Sequence, residues 1–320
     1  MTPTVALAGD TMLGRGVAEK LASEPPPALF SAEVVEAARS ADLFILNLEC
    51  CISDRGSPWQ AAGKPFFFRA PPVAVESLTQ LGVDCVTLAN NHALDFGYEA
   101  LLDTFVHLGS AGVKWVGAGA DVTSARSRAD LNVKGTAVAV LGVTDHPDDF
   151  AAADDRPGVA FADLRAGVPG WVGDAIREAS AAADIVVVTP HWGPNMVAEP
   201  VPWVREGALA LVGAGADLVT GHSAHVFHGV DDKVLFDLGD FVDDYAIDAQ
   251  LRNDLGLLFF VTFDGARIQR IEALPLKLDY CYTRAADGED LRWIENRFRS
   301  ACAALEVEVS AVDGRLVIAG

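Results

Sequence analysis

Asp10, Glu49, Asn91 with His92, His191, and His222 with His225 stand apart from the other polar residues because of what precedes each of them. Each follows a short apolar run: Val5-Ala6-Leu7-Ala8, Leu43-Phe44-Ile45-Leu46, Val86-Thr87-Leu88-Ala89, Ile185-Val186-Val187-Val188 or Leu218-Val219. Carboxylates, imidazoles and an amide are ligands for hard or borderline divalent cations. With no committed thiolate among them, they favour Mn, Fe, Zn or Mg over a soft metal. Such a cation activates water near neutral pH, and His92, beside Asn91, is suited to moving a proton. Each residue also has a plainer use. Asp10 can cap a helix beginning near Leu13, Asn and Asp suit the turn after a buried strand, and a single histidine is commonly packed into a core. Glu49 fits the plain uses least, because a carboxylate directly after so apolar a strand is costly unless it is paired or bound to a cation.

The elements that must bring these residues together are parallel strands, since open α/β sheets gather ligands at the carboxyl ends of their strands. Apolar spacing predicts helices over 32–41, 75–81, 98–109, 171–182 and 202–213, alternating with strands that include 113–116, 136–143, 184–189 and 234–238. The runs 257–263 and 266–274 flank Asp264-Gly265, a hairpin signal. An amphipathic helix over 287–302 and a second hairpin around Asp313-Gly314 complete the chain. The expectation is one α/β domain over residues 1–320, with 265–320 a C-terminal hairpin-and-helix appendage.

The formal charge of -21 argues against nucleic acid or an anionic membrane surface as a partner, both of which need basic surface. No apolar run approaches the ~18 residues of a membrane span, and no basic segment opens the chain as in a secretory signal. Cytoplasmic localisation is therefore expected. Cys50, Cys51, Cys85, Cys281 and Cys302 lack paired metal spacing and read as reduced, buried thiols; spacing leaves a ligand role open for Cys50 or Cys51. Lys64 and Arg69 flank Phe66-Phe67-Phe68 and are among few cations in an acidic chain, so both are candidates for holding a small anionic substrate. His107 lies on a helix and reads as structural. Asp145-His146-Pro147-Asp148-Asp149 reads chiefly as a solvated loop, a metal role being the lesser expectation. The oligomeric state is not legible.

Taken in order, Gly9-Asp10, Asn47-Leu48-Glu49, Phe68-Arg69-Ala70-Pro71, Asn90-Asn91-His92 with Asp95 and Gly97, His191-Trp192-Gly193, and Gly221-His222 with His225 resemble the CapA/PgsA capsule-synthesis proteins of poly-γ-glutamate production over about residues 4–245. That family is similar to the calcineurin-like metallophosphoesterases. The resemblance implies a four-layer α/β/β/α sandwich, metallophosphatase-like, with one or two divalent metals. Asp10, Glu49 and His225 would serve one ion, with Asn91, His191 and His222 on the other and Glu49 as the bridge. It implies His92 as proton donor to the leaving group, Asp95 as the residue fixing its tautomer, and Arg15, Lys64 and Arg69 as contacts for the substrate's anionic groups. Met12 stands where the phosphoesterases carry a histidine ligand, Ala224 where the family has Pro, His228 where Gln is common, and Asp240 where Asn is usual. The first metal would thus lose a ligand, His228 could supply a substitute, and Asp240 would add negative charge. The expected function is a metal-dependent hydrolase, a phosphatase or phosphodiesterase. An accessory role in γ-glutamyl polymer or peptide synthesis comes second, and a non-catalytic metal- or anion-binding module third.

Overall fold

The structure, a computed structural model, describes residues 2–23, 28–60 and 63–320. Residues 61 and 62 of the polar loop expected over 53–64 thus lie outside the described residues.

Alternation along the central strands fixes the layers. In Thr4–Thr11, Val5 and Leu7 join one apolar cluster while Ala6 and Ala8 join another, and in Leu43–Leu48 Leu43 and Ile45 part from Phe44 and Leu46 in the same way. The split recurs in Thr136–Thr144, with Val138 and Val140 opposed to Ala139 and Leu141, and in Ile185–His191, with Ile185 and Val187 opposed to Val186 and Val188. Successive side chains of a strand point to opposite faces, so strands apolar on both faces must be covered on both sides. The cluster shared by Val5, Ile45, Val140 and Val187 is the seam between two sheets. Helices Arg15–Ser23, Ala32–Arg39, Ala74–Leu81 and Gly97–Ser110 cover the outer face of the first sheet through Val17, Val34, Leu78 and Leu101. Gly170–Ser180 and Pro202–Ala214 cover the second through Ile176 and Leu211. The result is a four-layer α/β/β/α sandwich, the expected class.

In the larger sheet the strands lie in the order Ser310–Val312, Arg315–Ala319, Arg267–Asp279, Leu255–Asp264, Thr4–Thr11, Leu43–Leu48, Cys85–Thr87, Lys114–Val116. The last four are parallel, and so are Thr136–Thr144, Ile185–His191 and Leu218–Thr220 in the smaller sheet. The C-terminal hairpin extends the larger sheet, with Val261 opposite Val5 in antiparallel register. Helix Gly288–Ala303 buries Ile294, Phe298 and Cys302 in the seam. Ala129–Val133 and Tyr282–Ala285 are strands that the apolar pattern did not single out, because each carries exposed or half-exposed residues over most of its length. No helix among the described residues is long and apolar enough to cross a membrane.

One close approach ties strand to site. The register of Thr4–Thr11 against Leu43–Leu48 slips between Ala8 and Asp10, and Asp10 N donates to the Gly239 carbonyl at 2.9 Å. A Cβ on Gly9 would lie 1.8 Å from that same oxygen, so only glycine fits. Gly9→Ala is expected to destabilise the protein by about 1–3 kcal/mol through backbone displacement. Urea unfolding checks this, and an unchanged midpoint would contradict the close approach.

Candidate metal centre

Strand register builds the core of the site. Parallel pairing sets Asp10 opposite both Asp240 and Asn47. Asp10, Glu49, His225 and Asp240, all buried, each offer a ligand atom within 4.8 Å of the others. His225 Nδ1 lies 2.8 Å from Asp240 Oδ1 and 3.3 Å from Asp10 Oδ2. His222 Nδ1 is 3.6 Å from Asp10 Oδ1, and His191 Nε2 is 3.6 Å from Glu49 Oε1. His191 and His222 are themselves joined by a parallel bridge across the second sheet. Asn47 Nδ2 donates to Asp10 Oδ1 at 2.6 Å, and the Tyr245 hydroxyl donates to Glu49 Oε2 at 3.3 Å.

The unspent atoms of this set test whether a cation fits. Among the described residues, Asp10 Oδ2, Glu49 Oε1, Asn91 Oδ1, both ring nitrogens of His191, His222 Nδ1 and Asp240 Oδ2 are buried without a hydrogen-bond partner. Buried polar atoms are ordinarily satisfied, and those left over here are oxygens and imidazole nitrogens, the donor set of a divalent ion. Burial lowers the pKa of His191 to about 3 and of His222 to about 4, so both keep a free lone pair at neutral pH. Burial also opposes charge on His225, but Asp240, Glu49 and Asp10 outweigh it and push its pKa well above the ordinary value. The carboxyl of Asp240 is raised by burial, and the phenol of Tyr245 by burial and by Glu49, which keeps that phenol a donor.

Beside the centre stands His92. Its Nδ1 lies 2.6 Å from Asp95 Oδ2, and its ring stacks on Phe68 with centroids 3.9 Å apart. Asp95 Oδ2 also accepts from Phe68 N at 2.6 Å, and Lys64 Nζ lies 2.9 Å from Asp95 Oδ1 and donates to the Asn91 carbonyl at 2.8 Å. Lys64 thus ties Asp95 to the Asn91 loop. Arg69 donates to the carbonyls of Arg55 and Gly56, and its guanidinium lies 4.2 Å from the Phe96 ring. Arg15 pairs with Asp244 and sits 5.2 Å from the Phe68 ring and 5.5 Å from that of Tyr245, at the rim of the centre. Asn90, adjacent to the expected ligand Asn91, is spent on Asn47 and Leu48.

Other sequence expectations fall outside the cluster. Cys50 and Cys51 are buried, their thiols raised by burial, and Cys51 Sγ is turned to the Phe68 carbonyl. His228, the possible substitute ligand, is paired with the Val197 carbonyl at 2.9 Å. Asp145, expected in a solvated loop, is buried.

The pattern also hid residues. Asp240, expected only as added negative charge, belongs to the ligand group itself. Tyr245 follows Asp243-Asp244, an acidic pair that gives no sign of a buried phenol beside it. Asp237 accepts from Ala224 N at 2.8 Å and Gly239 N at 2.9 Å, holding the His222–His225 turn against the Asp240 turn. Ser223 and His225 in that turn have φ of 112° and 60°, values that non-glycine residues adopt only under constraint. An aspartate inside Leu235-Phe236-Asp237-Leu238 could have been found by the reasoning that singled out Glu49.

With this geometry in place, comparison with known proteins is informative. Residues 4–245 match the family described as bacterial capsule synthesis protein PGA_cap. A probable polyglutamine synthesis accessory protein of Mycobacterium tuberculosis is 31% identical, covering 92% of this chain and 89% of its own length. The PGA biosynthesis protein CapA of Bacillus subtilis is 31% identical over 75% of this chain and 63% of its own. Among solved structures, a putative 5'-nucleotidase from Staphylococcus aureus superposes with TM-score 0.52 at 15% identity, covering 93% of this chain and 58% of that one. A hypothetical protein from Thermus thermophilus does so with TM-score 0.51 at 18% identity, covering 86% and 99%. The nucleotidase likeness identifies the fold as metallophosphatase-like.

Two measurements follow from this geometry. Manganese at about 100 times its Kd should add about 2.7 kcal/mol of stability, and Glu49→Gln should remove most of that increment; identical melting of wild type with and without metal would contradict it. Burial lowers the pKa of His228 to about 4. A depressed folded pKa gives stability that is full above the unfolded value near 6.5 and lost as pH falls toward 4. His228→Asn should therefore lose less stability than wild type between those limits, as read by urea midpoints across pH.

Proposed function

This chain belongs to the bacterial capsule synthesis protein family, and from that premise we propose that it is an accessory enzyme of γ-glutamyl polymer or peptide production whose own step is a metal-assisted hydrolysis. The observation that carries the chemistry is the buried convergence of Asp10, Glu49, Asp240, His191, His222 and His225, all but His225 with unspent ligand atoms. The role rests on the relatives named for polyglutamine synthesis and PGA biosynthesis. A small phosphoester, the substrate placed first on sequence grounds, has support only from the fold and takes second place.

Asp10, Glu49, Asp240, His191, His222 and His225, with the side-chain oxygen Oδ1 of Asn91, would hold one or two divalent ions. When bound, these would polarise the substrate and lower the pKa of water. The protein's own residues do the rest. Asp95 accepts the Nδ1 proton of His92 and so fixes the ring; carrying a second proton on Nε2, the ring gives that proton to the departing atom and is left as the neutral Nδ1–H tautomer. Phe68 on the ring face and Lys64 on Asp95 hold that pair in place. Arg15, braced by Asp244, is the cation placed to meet a substrate carboxylate or phosphate at the rim.

The test is hydrolysis by manganese-loaded protein of γ-glutamyl amides and of a phosphoester panel run side by side. Turnover of the amides is expected. Turnover of phosphoesters alone would reverse the order of the two readings. His92→Ala should lower kcat by about 10²–10⁴ with metal content unchanged. No turnover on either panel, and no effect of that variant, would leave only a metal-binding module.

A further inference from the structure

His146 plays no part in the function proposed above, yet it occupies a built position. Its Nδ1 is paired with Asp145 Oδ1, and the buried Asp145 accepts from Gly193 N at 3.2 Å through its other oxygen. Asp145 N donates to the His191 carbonyl at 3.1 Å, so the loops after Thr136–Thr144 and Ile185–His191 are bound together where the strands end. The His146 ring packs on that of His191, with centroids 5.0 Å apart and planes at 51°. A linear N–H···N bond between two imidazoles places their centroids about 5 Å apart, which is the separation of these two rings.

His191 needs such a partner. Its Nε2 faces Glu49 while its Nδ1 is buried with nothing to bond. A neutral ring that gives its Nε2 lone pair to a cation carries its hydrogen on Nδ1, and metal-binding histidines nearly always donate that hydrogen to an acceptor that fixes the tautomer. With its own Nδ1 hydrogen directed to Asp145, His146 presents Nε2 as an acceptor.

We propose that Asp145 and His146 form a relay behind His191: His191 Nδ1–H donates to His146 Nε2, and His146 Nδ1–H donates to Asp145, orienting His191 toward the metal. His146 is a positioning residue, and this inference rests on reading the centre as a metal site.

The experiment is a titration of the metal-free full chain with cobalt(II), following affinity by calorimetry and nitrogen coordination by pulsed electron paramagnetic resonance. His146→Ala is expected to weaken affinity about 10–100-fold with the number of coordinated nitrogens unchanged. His146→Gln, whose amide oxygen can accept the same hydrogen, should recover most of the loss, and His107→Ala should bind as wild type does. Unchanged affinity in His146→Ala overturns the relay. Loss of one coordinated nitrogen overturns it too, by making His146 a direct ligand. If metal-free His146→Ala melts lower and the Gln variant restores nothing, the residue is structural and the relay fails. Should the wild type bind no cobalt, the metal reading itself falls and takes the relay with it; metal bound by wild type with undiminished affinity in the variant rejects the relay alone.

Discussion

Three carboxylates share one buried pocket. Asp10, Glu49 and Asp240 are buried together, and the charge nearest to answer theirs within the cluster is the imidazole of His225. Like charges at this distance in a low dielectric repel strongly, and a buried ion without a counter-charge is among the costliest arrangements a fold can carry. The main chain around the pocket is shaped to keep them there. A register slip beside Gly9 brings Asp10 under Gly239, and Asp237 bonds the neighbouring turns to one another. A turn with left-handed Ser223 and His225 aims an imidazole at two of the acids. Each device has a cost of its own, and a divalent cation would offset them.

The same pocket joins the two sheets. Asp10, Glu49 and Asn91 come from strand ends of the larger sheet, and His191 and His222 from those of the smaller. The apolar seam fixes how far apart the sheets stand, and the parallel strands within each fix which residues emerge at the shared rim. Packing chemistry and ligand geometry are therefore one problem in this fold: a displacement in the seam moves half the ligands relative to the other half.

Much of this could be read from the amino acids because two simple signals coincide. An apolar run of strand length followed at once by Asp, Glu, Asn or His marks a polar group at a buried edge, and Glu49 carries that signal most clearly. The α/β class was legible for a similar reason, since runs such as Ile185-Val186-Val187-Val188 are apolar throughout, whereas the four layers were implied by the family resemblance. What stayed hidden depends on the path of the chain. Asp240 reaches the site through pairing with a strand some 230 positions earlier in sequence, as its opposition to Asp10 shows. Tyr245 and Asp145 sit in acidic stretches whose composition suggests solvent. The destinations of Lys64 and Arg69 were equally out of reach, because a cation near a site reads the same whether it meets a ligand or a loop carbonyl. The C-terminal hairpin was visible from Asp264-Gly265, but not that it would lie alongside the first strand.

That last pairing sets the size of the smallest piece able to stand by itself. The capsule-family match closes at residue 245, whereas the seam goes on to draw Phe259, Phe263, Ile294, Phe298 and Leu316 from beyond it. A fragment trimmed to the matched span would present an open edge along Thr4–Thr11 and a half-emptied interior. The family match thus ends inside the packed interior, while the mycobacterial relative, aligned over 92% of this chain, extends past it.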